Sequence, residues 1–321
     1  MKTTMADNAV SETCPAHVSF SGHETFVFRY GWLKKAVDAT IQNPEIFTTD
    51  ESLAVLGVGK NMVRSIRHWS LATGVLQEMS KTRGARLEPT EFGLYLFGES
   101  GKDPYLEDPN SLWLLHWRLA TNERRCTSWS WAFNLLQSVE FTRESLAIVF
   151  RQELAKHSLV APSDGSLKRD LDCFVRTYSA PRGQKGVVAE DSLDCPLTEL
   201  ELITENPASG ALQFRKGFQR TLSMEAFLYA LNEYWGKVAP ARDTLAFSEI
   251  AYSPGSPGSV FKLDENSLME RLEQLELCSE GALSFADTAG LKQVYRRAQP
   301  QALQALTRHY EFSDPRVAAG V

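Results

Sequence analysis

Three groups of acids, one with a histidine, have the side chains needed for phosphodiester or proton-transfer chemistry. His23 and Glu24 stand together in FSGHETF, and an imidazole beside a carboxylate can move a proton or hold a cation. Such a pair in an aromatic-rich turn also serves to cap a helix or tie a loop to the core. Asp103, Glu107 and Asp108 crowd one connector, and Glu190, Asp191 and Asp194 crowd another. Clustered carboxylates hold hard cations such as Mg²⁺ or Mn²⁺, which stabilise charge on a departing oxygen. Acids ahead of a helix equally satisfy its macrodipole. A hydrolytic site would require these groups to converge within a few ångströms in the fold. Asp170 and Asp172 are two apart on an expected helix and point different ways, so they read as a solvated face with intrahelical ion pairs.

A second set is basic. Lys60, Asn61, Arg64, Arg67 and His68 lie in one run and Lys81, Arg83 and Arg86 follow, with Glu78 the only acid between Lys60 and Arg86. Lysine and arginine draw phosphate, while arginine and asparagine can form paired hydrogen bonds to guanine and adenine edges. The bland alternative is an exposed helix face that is merely solvated. Basic residues on both the helix and the following hairpin favour double-stranded DNA instead.

The elements that must position these residues follow from periodicity. Asp50 to Leu56 reads as a short helix, Gly57-Val58-Gly59 as a turn, and Lys60 opens a longer helix. Met62, Val63, Ile66, Trp69, Ser70 and Thr73 recur at helical spacing as its buried face, and Gly74 ends it. Val75, Leu76 and Leu87 read as two short strands about the tip Ser80 to Gly84. Trp32, Leu33, Ala36, Val37 and Ile41 supply a packing helix ahead of them. Together these describe a winged helix-turn-helix, whose second helix enters the major groove.

The middle of the chain reads as helices over Leu112 to Ala120, Trp129 to Gln137, Arg143 to Lys156 (N-cap Thr142) and a stretch from Ser166 to Arg176 capped by Ser166. His116 is a core or boundary histidine. Pro181 to Ala189 is a basic, flexible loop, and Leu197 to Ile203 is helix-like. The last third echoes the winged plan. Leu245 to Tyr252 reads as a helix and Pro254 to Gly258 as a rigid turn. Asp264 then opens a helix with an acidic start, and Leu283 to Phe285 reads as a strand before Asp287 to Gly290. Asp264 and Glu265 disfavour phosphate there, and Leu268, Leu272 and Leu275 serve the core. The expected architecture is therefore mainly α, with a flexible tail (1–16), a winged-helix domain (17–98), a helical domain (99–180) and a C-terminal helical, winged-like domain (181–321).

Composition sets the boundaries. The chain has 321 residues, 43% of them hydrophobic and 23% charged, which is ordinary for a globular protein. A net charge of -6 means that DNA is bound only through a local basic surface. Five cysteines (Cys14, Cys126, Cys173, Cys195, Cys278) show no zinc-ligand spacing, so no structural zinc is expected, and an odd number without a signal peptide suggests a reduced, cytoplasmic setting. No apolar run reaches the roughly 20 residues of a membrane span.

The segments FSGHETF, RYGWLKK, LGVGKNMVRSIRHW, DPYLEDP, LWLLHW, LKRDLDCFVRTY, EDSLDCPL, PGSPG, VFKLDENSL and DTAGLKQVY together resemble the SspB-type family, once catalogued as a domain of unknown function. The resemblance runs in order from about Phe20 to Tyr295. It implies a DNA-nicking component of a phosphorothioation and phage-defence system, in which sulfur replaces a non-bridging phosphate oxygen. The partners it implies are a cysteine desulfurase and ATP-using proteins. It transfers no nuclease signature residue by residue, and the sequence holds no HNH, GIY-YIG or PD-(D/E)xK pattern. A non-catalytic DNA-binding adaptor that recruits the modification enzymes stays open beside the nickase.

Overall fold

A computed structural model of the chain describes residues 17–136, 138, 140–179, 195–206 and 208–313. The expected tail, the loop Pro181 to Ala189 and the acids Glu190, Asp191 and Asp194 lie outside the described residues. The described chain is mainly helical with small antiparallel sheets, as expected.

Helix α1 (Trp32–Gln42) buries Trp32, Leu33, Ala36 and Val37. Thr40 completes the stripe, its hydroxyl turned back to the Ala36 carbonyl at 2.6 Å, whereas Ile41, expected there, is 49% exposed. The reason is angular, since Ile41 follows Thr40 by about 100° around the helix and so leaves the apolar sector. Helix α2 (Glu51–Leu56) stops at Gly57, whose φ of 67° is the left-handed cap that turns the chain toward α3 (Lys60–Ala72). Val63, Ile66, Trp69 and Ser70 are buried as expected, with Thr73 just beyond the helix and Met62 half-buried. Strands β1 (Leu76–Glu78) and β2 (Leu87–Pro89) form an antiparallel hairpin, and α1 packs on both α3 and β2. Thr90 caps α4 (Glu91–Phe97) by accepting the Gly93 N–H at 2.9 Å.

Four helices follow: α5 (Pro109–Thr121), α6 (Thr127–Asn134), α7 (Arg143–Lys156) and α8 (Asp164–Tyr178). Thr142 caps α7 as expected. Helix α8 begins earlier than expected, because Ser163 rather than Ser166 accepts the cap bond, from the Ser166 N–H at 3.2 Å. His116 is a core histidine, held between the Tyr178 hydroxyl at 2.8 Å and the Val260 carbonyl at 2.9 Å. The stretch expected as a helix from Leu197 to Ile203 is a 3-10 turn, Pro196–Leu200, that Glu201 ends at a φ of 47°. Strand β4 (Ile203–Glu205) then pairs with β5 (Leu212–Phe214), which also pairs with β3 (Glu140–Phe141). Left-handed backbone at Glu201 cannot continue a helix, which is why the segment turns into a sheet.

The C-terminal part comprises α9 (Met224–Val238), β6 (Thr244–Ala246), α10 (Phe247–Tyr252), α11 (Pro257–Val260), α12 (Glu265–Glu273), α13 (Leu275–Cys278), β7 (Leu283–Thr288), β8 (Leu291–Arg296) and α14 (Ala302–Ser313). Leu245 belongs to a strand, and the PGSPG segment carries α11 rather than a bare turn. Asp287 to Gly290 leads into the tip of the β7–β8 hairpin, with Ala289 and Gly290 at positive φ, and so does not repeat the Thr90 helix cap. Leu268, Leu272 and Leu275 are buried as expected. Among the described residues no helix is long and apolar enough to cross a membrane.

Candidate nucleic-acid interface

The surface that α3 shows to solvent starts at an uncapped helix end. Gly59 offers no side chain to cap the first N–H groups of α3, which lack intrahelical acceptors, and Lys60 and Asn61 beside them are exposed. Arg64 lies one turn on, exposed, with Glu24 at 3.8 Å. Arg67 does something different. Its guanidinium donates to the Gly84 carbonyl at 3.0 Å and lies 3.5 Å from Glu78, so it braces the hairpin against the helix. That brace carries the exposed Lys81, Arg83 and Arg86 of the hairpin alongside α3, with Glu45 3.7 Å from Arg86. Arg125, from the α5–α6 turn, donates to Glu78 at 2.9 Å, and this bond holds the Glu78 carboxyl below the usual carboxylate range. Arg124 and Arg125 are basic neighbours that the sequence pattern does not reveal, since they lie some 40 residues beyond the hairpin and only the tertiary fold brings them there.

His68 is turned inward rather than toward this surface. Its ring meets His23 at 5.8 Å and Trp69 at 5.2 Å between centroids, and Nε2 is buried. Burial foremost, then the facing His23 and nearby Arg125 and Arg67, pushes its pKa down to about 3. A Cβ on Gly22, whose φ is 108°, would stand 2.5 Å from the His68 Nδ1, so only glycine lets the loop pass so close.

The loop from Ser21 to Phe26 joins α3 to α8. His23 Nδ1 accepts the Thr25 N–H at 3.0 Å, so the proton on Nε2 goes to Asp170 Oδ1 at 2.8 Å. Ser128 donates to the other Asp170 oxygen. Because the serine bonds the carboxylate and not the imidazole, and His23 and Asp170 are almost wholly buried, the arrangement is not a nucleophilic triad but a polar clamp. Asp170, expected on a solvated face, is therefore buried. Its spacing from Leu167 and Phe174, three and four residues away, puts it on the inner stripe. Phe26 adds two bonds through its carbonyl, from Trp69 Nε1 of α3 at 3.0 Å and from Cys173 Sγ of α8 at 3.6 Å.

Asp103 and Asp108 belong to a separate network. Asp103 accepts the N–H groups of Glu107 and Asp108 and the Ser111 hydroxyl, while exposed Glu107 contributes only its backbone to the turn. Asp108 caps α5 through the Asn110 N–H at 2.8 Å and accepts from His309 Nε2 at 2.8 Å. The hydrogen bond to Asp108 raises the His309 pKa against the opposing effect of burial. Burial pushes the Asp108 carboxyl up, but His309 and the Asn110 N–H outweigh it and leave it low. The raised histidine stabilises the fold fully below its unfolded pKa of about 6.5, and this contribution is lost as pH rises through the folded value. The lowered carboxyl contributes above its unfolded value and is lost as pH falls through the folded one. We therefore expect NMR titration to place the His309 pKa above 6.5 in the wild type and to return it toward 6.5 in Asp108→Asn. An unshifted wild-type His309 would contradict this pairing.

Among the described residues, no three His, Cys, Asp or Glu side chains gather as a metal site. His23 and Glu24 lie in the 21–26 loop that packs against α3 and α8, Asp103 and Asp108 lie against α14, and no hydrogen bond or ion pair links the two groups. Cys126, Cys173 and Cys195 are buried free thiols.

A mainly helical chain with a basic helix and hairpin on one face is thus defined. Residues 20–310 match the family described as protein of unknown function (DUF4007), and the chain belongs to that family. It is similar to a magnesium ion-bound SspB crystal structure at a TM-score of 0.83 and 32% identity, over 94% of this chain and 91% of that one. A further SspB crystal structure gives 0.82 and 31% over the same shares. These likenesses bear out the SspB-type family. A comparison with curated proteins returns no match.

Proposed function

We propose that this chain binds double-stranded DNA through α3 and the β1–β2 hairpin, used as a winged helix-turn-helix, within a DNA phosphorothioation and phage-defence system. The observation that carries the reading is the uncapped α3 end flanked by Lys60, Asn61 and Arg64, with Lys81, Arg83 and Arg86 held beside it by the Arg67–Gly84 bond. Free helix N–H groups and adjacent cations suit phosphate, and Asn61 and Arg64 are of the types that read base edges. The system-level part rests on the similarity to SspB, with a cysteine desulfurase and ATP-using components as partners. The second winged-like unit serves as scaffold, since Asp264 is spent on the Ser267 N–H cap of α12 and Glu265 repels phosphate.

Strand nicking is the second reading, favoured by the magnesium ion bound in one of the two similar SspB structures. Asp103 and Asp108 do not suit that ion, because their oxygens are taken by N–H and O–H donors, His23 is committed to Asp170, and among the described residues no three such side chains gather. Supercoiled plasmid separates the readings. Retarded but intact plasmid with Mg²⁺ or Mn²⁺, partner proteins included, supports the DNA-binding adaptor. Conversion to open circle that EDTA abolishes supports the nickase, with Glu190, Asp191 and Asp194 the first residues to replace. No retardation at all overturns both.

A further inference from the structure

A cleft of about 340 Å³ opens between the 23–26 loop and helices α7 and α8, lined by Thr25, Arg143, Arg169, Asp172 and Arg176. Three guanidiniums face one carboxylate there, in a chain whose net charge is -6. Asp172 pairs with Arg143 at 2.8 Å, so two positive charges are left in excess. Arg176 is positioned by backbone, donating to the Thr25 carbonyl at 2.5 Å and the Asp172 carbonyl at 3.3 Å. Among the described residues exposed Arg169 makes a single 3.3 Å bond, to Ser166. A guanidinium carries five donors, so toward the described residues most of the N–H groups in this cleft are unspent.

We propose that this cleft holds a backbone phosphate of the same duplex that α3 engages, extending the DNA footprint from the helix onto α8. The inference rests on the DNA-binding reading above. What selects DNA over a small free anion is continuity. Arg64 of α3 pairs with Glu24, and Arg176 of α8 bonds the next residue, Thr25. Glu24 and Thr25 both have positive φ (49° and 68°), and the His23–Asp170 bond fixes the loop that carries them. The two arginines therefore flank one rigid dipeptide, and the cleft begins where the α3 surface ends. Arginine forks suit phosphate oxygens in the bidentate geometry that positions a duplex without reading its sequence.

The test is fluorescence anisotropy on a labelled mixed-sequence duplex at several salt concentrations, with Arg143→Gln/Arg169→Gln beside Arg64→Gln and circular dichroism as the folding control. Loss of the one phosphate contact is expected to weaken binding by about tenfold and flatten the slope of log K against log salt by about 0.9. If the double variant does not fold, Arg169→Glu, at an exposed position, is expected to weaken binding by a similar factor. Unchanged affinity and slope in the folded cleft variants, with Arg64→Gln weakened, overturn the cleft while leaving the α3 reading intact. Weakening in the cleft variants alone removes α3 from the interface and overturns the proposal that the cleft continues its footprint. No change in any variant overturns both. Calorimetric binding of inorganic phosphate that the cleft variants lose, with DNA affinity unchanged, assigns the site to a small anion and overturns the proposal.

Discussion

Replacing Asp170 with alanine is expected to destabilise the fold by about 2–5 kcal/mol, because the change strands two buried donors at once. The His23 Nε2–H and the Ser128 hydroxyl both give their hydrogen bonds to this carboxylate, and all three side chains are buried from the solvent that could replace it. The consequence extends beyond stability, since His23 anchors the loop that sets Glu24 against Arg64 and Thr25 against Arg176. Asp170→Asn should fall between alanine and wild type, because its amide oxygen can accept one donor while its NH₂ opposes the other. Asp172, two residues on and 40% exposed, pairs with Arg143 at the surface, so Asp172→Ala should cost no more than about 1 kcal/mol. Urea unfolding followed by circular dichroism measures both. Equal losses for Asp170→Ala and Asp172→Ala would mean that the buried clamp does not hold the loop.

Much of the helix framework is legible in the sequence because amphipathic spacing and local caps act within a few residues. Val63, Ile66 and Trp69 mark the inner face of α3, and Thr142 marks the start of α7. Where a left-handed residue decides the path, hydrophobic spacing misleads. Glu201 turns an expected helix into β4, and Ala289 with Gly290 makes a hairpin of a segment that resembles the Thr90 cap. The site is legible on one side only. Lys60, Asn61 and Arg64 are exposed as the spacing implies, but Arg67 and His68 sit where the helix meets its neighbours, and a wheel drawn for one helix cannot show that. Asp170 is hidden by its charged neighbours Lys168, Arg169 and Asp172, although its spacing from Leu167 and Phe174 already places it inward. The clamp from His23 to Asp170 spans 147 positions, and no local pattern encodes such a contact.

The basic face should respond sharply to loss of charge at α3. Lys60 and Arg64 are one turn apart and exposed, while Val63, Ile66 and Trp69 hold the helix from beneath, so Lys60→Ala/Arg64→Ala should fold normally. Arg67 is left in place because it braces the hairpin at Gly84, and its loss would disturb Lys81 and Arg83 as well. Each phosphate contact on duplex DNA contributes about 0.9 to the slope of log K against log salt, so losing two should flatten it by about 1.8 and lower affinity at least about tenfold near 0.1 M salt. Lys81→Ala/Arg83→Ala should weaken binding evenly across sequences, as backbone contacts do. The most direct measurement is therefore a duplex gel-shift titration at several salt concentrations, wild type against Lys60→Ala/Arg64→Ala, with matched circular dichroism spectra. Weaker binding and a flatter slope are expected in the variant; equal affinity and equal slope in a folded variant would contradict DNA binding through α3.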